Sequence, residues 1–140
     1  MPRNVLVDAG PIVAFLRAQD EFHGWAIEQF KRFPQLLTCE AVLAESCARL
    51  AYYGNDQSAV VDLVQCGALN MDFSVTESVD RISKLMKKYK DRRMHLADAC
   101  LVVMSERSAG VVVVTLDAAD FSVYRRHDRE VVPHISPSRR

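Results

Sequence analysis

The chain lacks any apolar run approaching the roughly 20 residues a membrane-spanning helix needs, and its N-terminus lacks the basic, apolar and small-residue order of a secretory leader. Both absences lead to the expectation of a soluble, cytoplasmic protein with no membrane association. Cys39, Cys47, Cys66 and Cys100 show no C-x-x-C spacing, and all four lie among apolar or helical neighbours, as reduced core thiols do. That pattern argues against a disulfide framework and against a zinc site. No G-x-G-x-x-G follows a candidate strand, which argues against a dinucleotide enzyme. There is no internal repeat and no low-complexity segment.

What is present is a chain of 140 residues, 49% hydrophobic, able to bury one substantial core and too short to expect two. The expectation is one domain over residues 1–140. Its net charge of zero hides an uneven distribution: residues 1–80 hold 5 Lys+Arg against 11 Asp+Glu, and residues 81–140 hold 13 against 7. Much of the basic excess is local, in Arg81, Lys84, Lys87, Lys88, Lys90, Arg92 and Arg93. Such a run reads either as a solvated helix face or as a phosphate-binding surface.

In chain order, Val5–Val7 reads as a strand ending at Asp8, and Pro11 opens a short helix to Arg17. His23–Phe33 reads as a helix stopped by Pro34, Gln35–Thr38 as a short strand, and Glu40–Tyr53 as a longer helix closed by Gly54-Asn55. A helix over Asp56–Gln65, a strand over Leu69–Val75, and a helix capped by Thr76 or Ser78 and running to Lys90 follow. Leu96–Ala109 has helical length with Gly110 in a C-cap position, and Val111–Val114 is an unbroken β-branched run. Val131-Val132 then suggests an edge strand, with residues 134–140 a frayed tail. Strands alternating with helices predict an α/β fold, a three-layer α/β/α sandwich on a mostly parallel sheet.

Acids mark the ends of the strands. Ligands of open α/β sheets bind beyond the carboxyl ends of the strands, where Asp8 and Asp117 both fall. A helix that precedes a parallel strand runs antiparallel to it, so Asp98 at the start of its helix returns to the same edge. Glu45, between one and two turns into its own helix, points to that edge if Gln35–Thr38 is parallel. Four carboxylates in one pocket raise each other's pKa and destabilise the fold unless a cation neutralises them, and oxygen ligands without His or Cys favour Mg²⁺ or Mn²⁺. Each acid also has a simpler role: Asp8 as a helix cap, Asp98 as a complement to a helix dipole, Glu45 as the ion-pair partner of Arg49, and Asp117 as a turn residue with Asp120 in a first helical turn. The apolar neighbours of Asp98 (Leu96-Ala97 and Ala99) and of Glu45 (Val42-Leu43-Ala44) weigh toward buried charge that needs a partner.

Val5-Leu6-Val7-Asp8-Ala9-Gly10-Pro11, the mid-helix Glu45, Leu96-Ala97-Asp98-Ala99 and Thr115-Leu116-Asp117-Ala118-Ala119-Asp120-Phe121 together resemble a PIN domain of the kind found in VapC toxins. The resemblance covers essentially the whole chain, in order and correctly spaced. It implies that Asp8, Glu45, Asp98 and Asp117 are the acidic quartet of a metal-dependent ribonuclease, with Asp8, Asp98 and Asp117 holding Mg²⁺ or Mn²⁺, Thr115 a supporting hydroxyl and Asp120 an auxiliary acid. Many relatives carry Ser or Thr soon after the first Asp, whereas Ala9-Gly10 stands here. The resemblance further implies the toxin of a type II toxin-antitoxin pair, an RNA substrate, a small cognate antitoxin and a homodimer.

The chemistry suits these residues on its own terms, since a divalent metal would turn an acidic pocket into a phosphate site. Lys87, Lys88, Arg92, Arg93, Arg125 and Arg126 are candidates to hold the flanking RNA backbone, with affinity that falls as salt rises. No aromatic series points to base stacking, so no sequence preference is readable. Two rivals remain. A phosphotransfer domain would use Asp8 as nucleophile but would need a second acid where Gly10 stands, and a non-catalytic RNA-binding or regulatory module would keep the metal for stability.

Overall fold

A computed structural model describes residues 4–138. Its elements run β1 (Asn4–Val7), α1 (Ala9–Leu16), α2 (His23–Arg32), β2 (Leu36–Thr38), α3 (Glu40–Tyr52), α4 (Ser58–Gln65), β3 (Leu69–Met71), α5 (Val79–Lys88), α6 (Leu96–Ser105), β4 (Val111–Val114), α7 (Ala118–Phe121), β5 (Arg125–Arg126), β6 (Glu130–Val131) and β7 (His134–Ile135). Single 3₁₀ turns lie at Thr76–Ser78 and Lys90–Arg92. No helix among the described residues is long and apolar enough to cross a membrane.

The sheet follows from its two valine-rich strands. β1 and β4 are short apolar runs whose side chains are almost all buried, the pattern of strands covered on both faces. Each fully buried Val or Leu in them contributes about 1.5–3 kcal/mol. They pair in parallel with Asn4 opposite Val111 and Val7 opposite Val114. β2 and β3 extend the sheet on one side and β7 on the other, giving the order β3-β2-β1-β4-β7 with every pairing parallel. Helices cover both faces in three layers. The chain builds outward from β1 through β2 and β3, then crosses back to β4. The strand order therefore reverses between β1 and β4, and a crevice opens beyond their carboxyl ends.

Several boundaries differ from the sequence expectation. α1 begins at Ala9 because the Asp8 carboxylate caps it, which leaves Pro11 in the first turn where its missing N–H costs nothing. β3 stops at Met71 rather than Val75, because its partner β2 ends at Thr38 and no further strand backbone is there to pair. Neither Thr76 nor Ser78 caps α5 with its side chain. Helix α6 ends at Ser105, four residues short of the expected end, and Gly110 does not cap it. The Arg126 guanidinium donates to the carbonyls of Ser105 (3.1 Å) and Ser108 (3.3 Å), occupying acceptors that a continuing helix would use. The edge strand is His134–Ile135, bound to β4 through Val113 N–H to Pro133 O and Thr115 N–H to Ile135 O, so the sheet includes residues expected to fray. Residues 139 and 140 of that expected tail lie outside the described residues. Among the cysteines, Cys39 and Cys100 are buried as expected, whereas Cys66 is exposed at the end of α4.

Arg126 is the basic residue that the sequence reading misplaced. It is only 6% exposed, and besides the two carbonyls it reaches Glu130 at 3.2 Å. It holds the α6 terminus against the β5–β6 hairpin and is not free to grip RNA. Arg126→Ala should therefore lower the unfolding free energy by about 2–4 kcal/mol, because buried carbonyls lose a charged donor. Urea denaturation measures this directly, and a loss below about 0.5 kcal/mol would place Arg126 outside the framework of the fold.

Candidate active site

The site begins where β1 ends. Asp8 N–H continues the β1–β4 ladder by donating to Val114 O at 3.0 Å. Its carboxylate is divided between two donors, with Oδ1 accepting the Ala9 N–H (2.8 Å) and Oδ2 accepting the Thr115 hydroxyl (2.9 Å). The Thr115 oxygen in turn accepts the Asp117 N–H at 2.9 Å. One buried hydroxyl thus ties the carboxyl end of β1 to that of β4. From β2, the Thr38 hydroxyl donates to Val7 O at 3.0 Å and fixes the other side of β1.

Three more elements bring their acids to this edge. Asp98 sits in the first turn of α6, where its Oδ2 accepts the His95 N–H (3.3 Å) and the hydroxyl of buried Tyr124 (3.1 Å). Asp117 caps α7, with Oδ1 accepting the Asp120 N–H at 3.3 Å. Glu45, in α3, pairs with Arg49 at 2.9 Å and faces His95 Nδ1 at 3.5 Å. Asp120 pairs with Arg92 at 2.8 Å. All five acids line one pocket of about 330 Å³, together with Arg49, Arg92, Arg93 and His95. Gly10 completes the wall: a Cβ there would stand 3.1 Å from the Leu116 side chain, so the close packing of α1 on the β4 loop leaves little room for a larger residue.

The pocket separates charge by depth. Asp8 and Asp98 form a buried floor, whereas Arg49, Arg92 and His95 are substantially exposed around the mouth. Burial pushes the Asp8 carboxyl up to about 7, and the neighbouring Asp98 charge adds to it, overriding the Ala9 and Thr115 hydrogen bonds. Asp98 is likewise raised, chiefly by burial. Asp117 is raised to about 6 by burial and by its carboxyl neighbour Asp120, while Asp120 is lowered by its hydrogen bond with Asp117 and by Arg92. Burial, reinforced by the Asp98 charge, raises the Tyr124 phenol, so it stays a donor.

The remaining candidates are dispersed. Arg92 and Arg93 reach the pocket, Arg93 from a left-handed backbone conformation (φ 56°) that ends the 3₁₀ turn. Lys88 is paired with Asp128 at 3.2 Å, and Lys87 borders an apolar groove along α5. The Arg125 Nη1 donates to the carbonyls of Ser122, Val123 and Tyr124. Two pocket residues go beyond the sequence expectation, Arg49 as part of the mouth and His95, and so does buried Tyr124, which donates to Asp98 from outside the lining. No local signal marks Tyr124, because the phenol's partner, Asp98, lies 26 residues away in sequence. His95 precedes the helix that carries Asp98, a place where a polar residue usually serves the helix terminus.

The donors are hard oxygens, and the floor carboxylates carry repulsion that the chain's own cations, placed at the mouth, do not relieve. In kind they fit Mg²⁺ or Mn²⁺. Among the described residues, no three His, Cys, Asp or Glu groups are already gathered as a ready-made metal site. A family model described as PIN domain matches residues 5–126. No curated protein matches the chain.

The raised Asp8 carboxyl has a definite signature in the metal-free protein. The native state holds this proton up to about pH 7, whereas the unfolded chain releases it near the ordinary value of 3.8. Stability from this group is thus present at low pH and declines as pH rises from about 4 to about 7, by on the order of 4 kcal/mol in all. Asp8→Asn should flatten that decline and be the more stable protein at pH 8. Urea unfolding against pH in EDTA checks it, and parallel curves for parent and variant would refute it.

Proposed function

We propose a catalytic function from one established premise: the chain belongs to the PIN-domain family, a superfamily of nucleases. The reading is a Mg²⁺- or Mn²⁺-dependent endoribonuclease that hydrolyses RNA phosphodiester bonds. One observation carries it: Asp8, Glu45, Asp98 and Asp117, separated along the chain, line a single pocket at the sheet's switch point.

Asp8, Asp98 and Asp117 would hold the metal. Bound there, it supplies charge neutralisation for the phosphodiester and activation of the attacking water. The chain's own groups do the positioning. The Ala9 N–H and the Thr115 hydroxyl fix the Asp8 carboxylate, and the His95 N–H and the Tyr124 hydroxyl fix that of Asp98. Carboxylates locked in this way lose little freedom when they take up a ligand. On this reading Glu45, which lines the same pocket, orients the attacking water and accepts its proton. Arg92 and Arg93, at the mouth, face the flanking phosphates. Lys87, Lys88 and Arg125 lie further out on the same reading.

The finer assignment is the toxin of a type II toxin-antitoxin pair, cytoplasmic, homodimeric and restrained by a small antitoxin. It rests on the likeness of the motifs around Asp8, Asp98 and Asp117 to those of VapC toxins.

Asp98→Asn should leave the fold intact and reduce Mg²⁺-dependent RNA cleavage by at least about a hundredfold, the size of loss that removing even an outer partner of a metal site can cause. Gel analysis of a structured RNA pool with and without EDTA checks both points. Cleavage that survives EDTA, or that persists in the variant, sinks the assignment. Metal-dependent melting without cleavage of any RNA would favour the non-catalytic module instead.

A further inference from the structure

Helix α3 carries more than Glu45. Residues at i, i+4 and i+7 share a helix face, which places Glu45, Arg49 and Tyr52 on one stripe. The first two line the acidic pocket. Tyr52 stands roughly 10 Å further along the helix axis, at 1.5 Å per residue, and is 83% exposed. A single exposed aromatic is ordinary on a protein surface. This one is mounted. The ring of Tyr53 meets it edge-on at 5.2 Å and 82°, and the Arg17 guanidinium lies 3.7 Å above the Tyr53 ring. Arg17 is itself held by Asp20 at 3.8 Å. The result is a braced aromatic ledge about one helical turn beyond Arg49.

We propose that Tyr52 is a stacking platform for an unpaired base of single-stranded nucleic acid, with Arg49 taking the phosphate between that base and the pocket. The proposal rests on the nuclease reading of the pocket, since it is the scissile phosphate that sets the strand's path. Charge and continuity favour this occupant. Arg49 is half-exposed and, among the described residues, its side chain is bound only to Glu45, so it can exchange one anionic partner for another. An aromatic face accepts any base, so the ledge would add affinity without sequence preference. A duplex, whose bases are already stacked, would gain nothing from it.

The test measures binding with Ca²⁺ in place of Mg²⁺, so that the pocket's carboxylates are neutralised by a hard cation, and a gel of the same mixtures verifies that the strands stay intact. It uses fluorescence anisotropy with a labelled oligouridine, the matching deoxy strand and a duplex RNA. Tyr52→Ala should bind both single strands about tenfold more weakly, Tyr52→Phe within about twofold of the parent, and duplex binding should not change. Thermal melting of both variants should match the parent, as the side chain is exposed. Unchanged single-strand affinity in Tyr52→Ala overturns the proposal, and so does an equal loss on the duplex. A parent that binds no nucleic acid, but self-associates in a way that Tyr52→Ala abolishes, would make the ledge an interface between copies and overturn it too. If the parent binds single strands through Tyr52 yet never cleaves RNA with Mg²⁺, the nuclease reading fails and the stacking platform stands.

Discussion

The register between β1 and β4 is the constraint on which the rest depends. Val7 opposite Val114 puts Asp8 and Thr115 next in line, so the side-chain hydrogen bond between them stands one step beyond the backbone ladder. Because side chains alternate between the two faces of a sheet, a slip of one residue would exchange the helical layers that the buried valines pack against and carry Asp8 away from the Thr115 hydroxyl. The apolar character of both strands therefore specifies the chemistry as well as the core. It does so indirectly, by making one register far cheaper than its neighbours. Helix α6 then has a fixed surface to pack on, and its first turn delivers Asp98 to the same edge.

That placement creates an electrostatic conflict that the fold carries without resolving. Each floor carboxylate receives hydrogen bonds that favour its ionised form, yet burial and the neighbouring acids prevail, and Asp8 is poised near neutrality. At the mouth the balance is the reverse, with Glu45 bound to Arg49 and Asp120 to Arg92. A pocket built only for stability would move those guanidinium groups inward or replace the floor acids with apolar residues, which is often neutral or stabilising for buried charge. On the nuclease reading, acids below and cations above suit a ligand pair of the opposite polarity, a metal under a phosphate.

How much of this could be read from the residues depends on the range of the interaction involved. The β1 and β4 runs, the starts of α2, α3 and α6 and the gathering of acids at one sheet edge follow from local pattern plus the geometry of parallel crossovers, and these were legible. Helix α6 stops at Ser105 because Arg126 takes carbonyls from across the fold, and nothing within Leu96–Ala109 announces that. β3 is short because its partner is short, and His134–Ile135 becomes a strand because β4 offers a free edge. Arg126 read as one of several surface cations because charge patterning does not distinguish a guanidinium that binds main-chain carbonyls from one that binds phosphate. Tyr52 was invisible for a related reason: one tyrosine is not a pattern until the helix face it shares with Glu45 and Arg49 is known.

The distribution of the site along the chain has an energetic consequence. Asp8 and Thr115 are 107 residues apart, and Glu45 and Asp98 come from helices between them. No partial fold that lacks either β1 or β4 can contain the pocket, so the site exists only when the sheet is complete. A cation that binds the assembled pocket and not the unfolded chain must then stabilise the entire fold, by RT ln(1 + [L]/Kd). At a hundredfold excess over Kd that gain is about 2.7 kcal/mol, comparable with the penalty that a buried Asp8 carboxylate imposes at neutral pH. On the metal-binding reading, the same acids that destabilise the metal-free protein would make its stability responsive to a cation, and the distance between them in sequence would convert a local binding event into a global one.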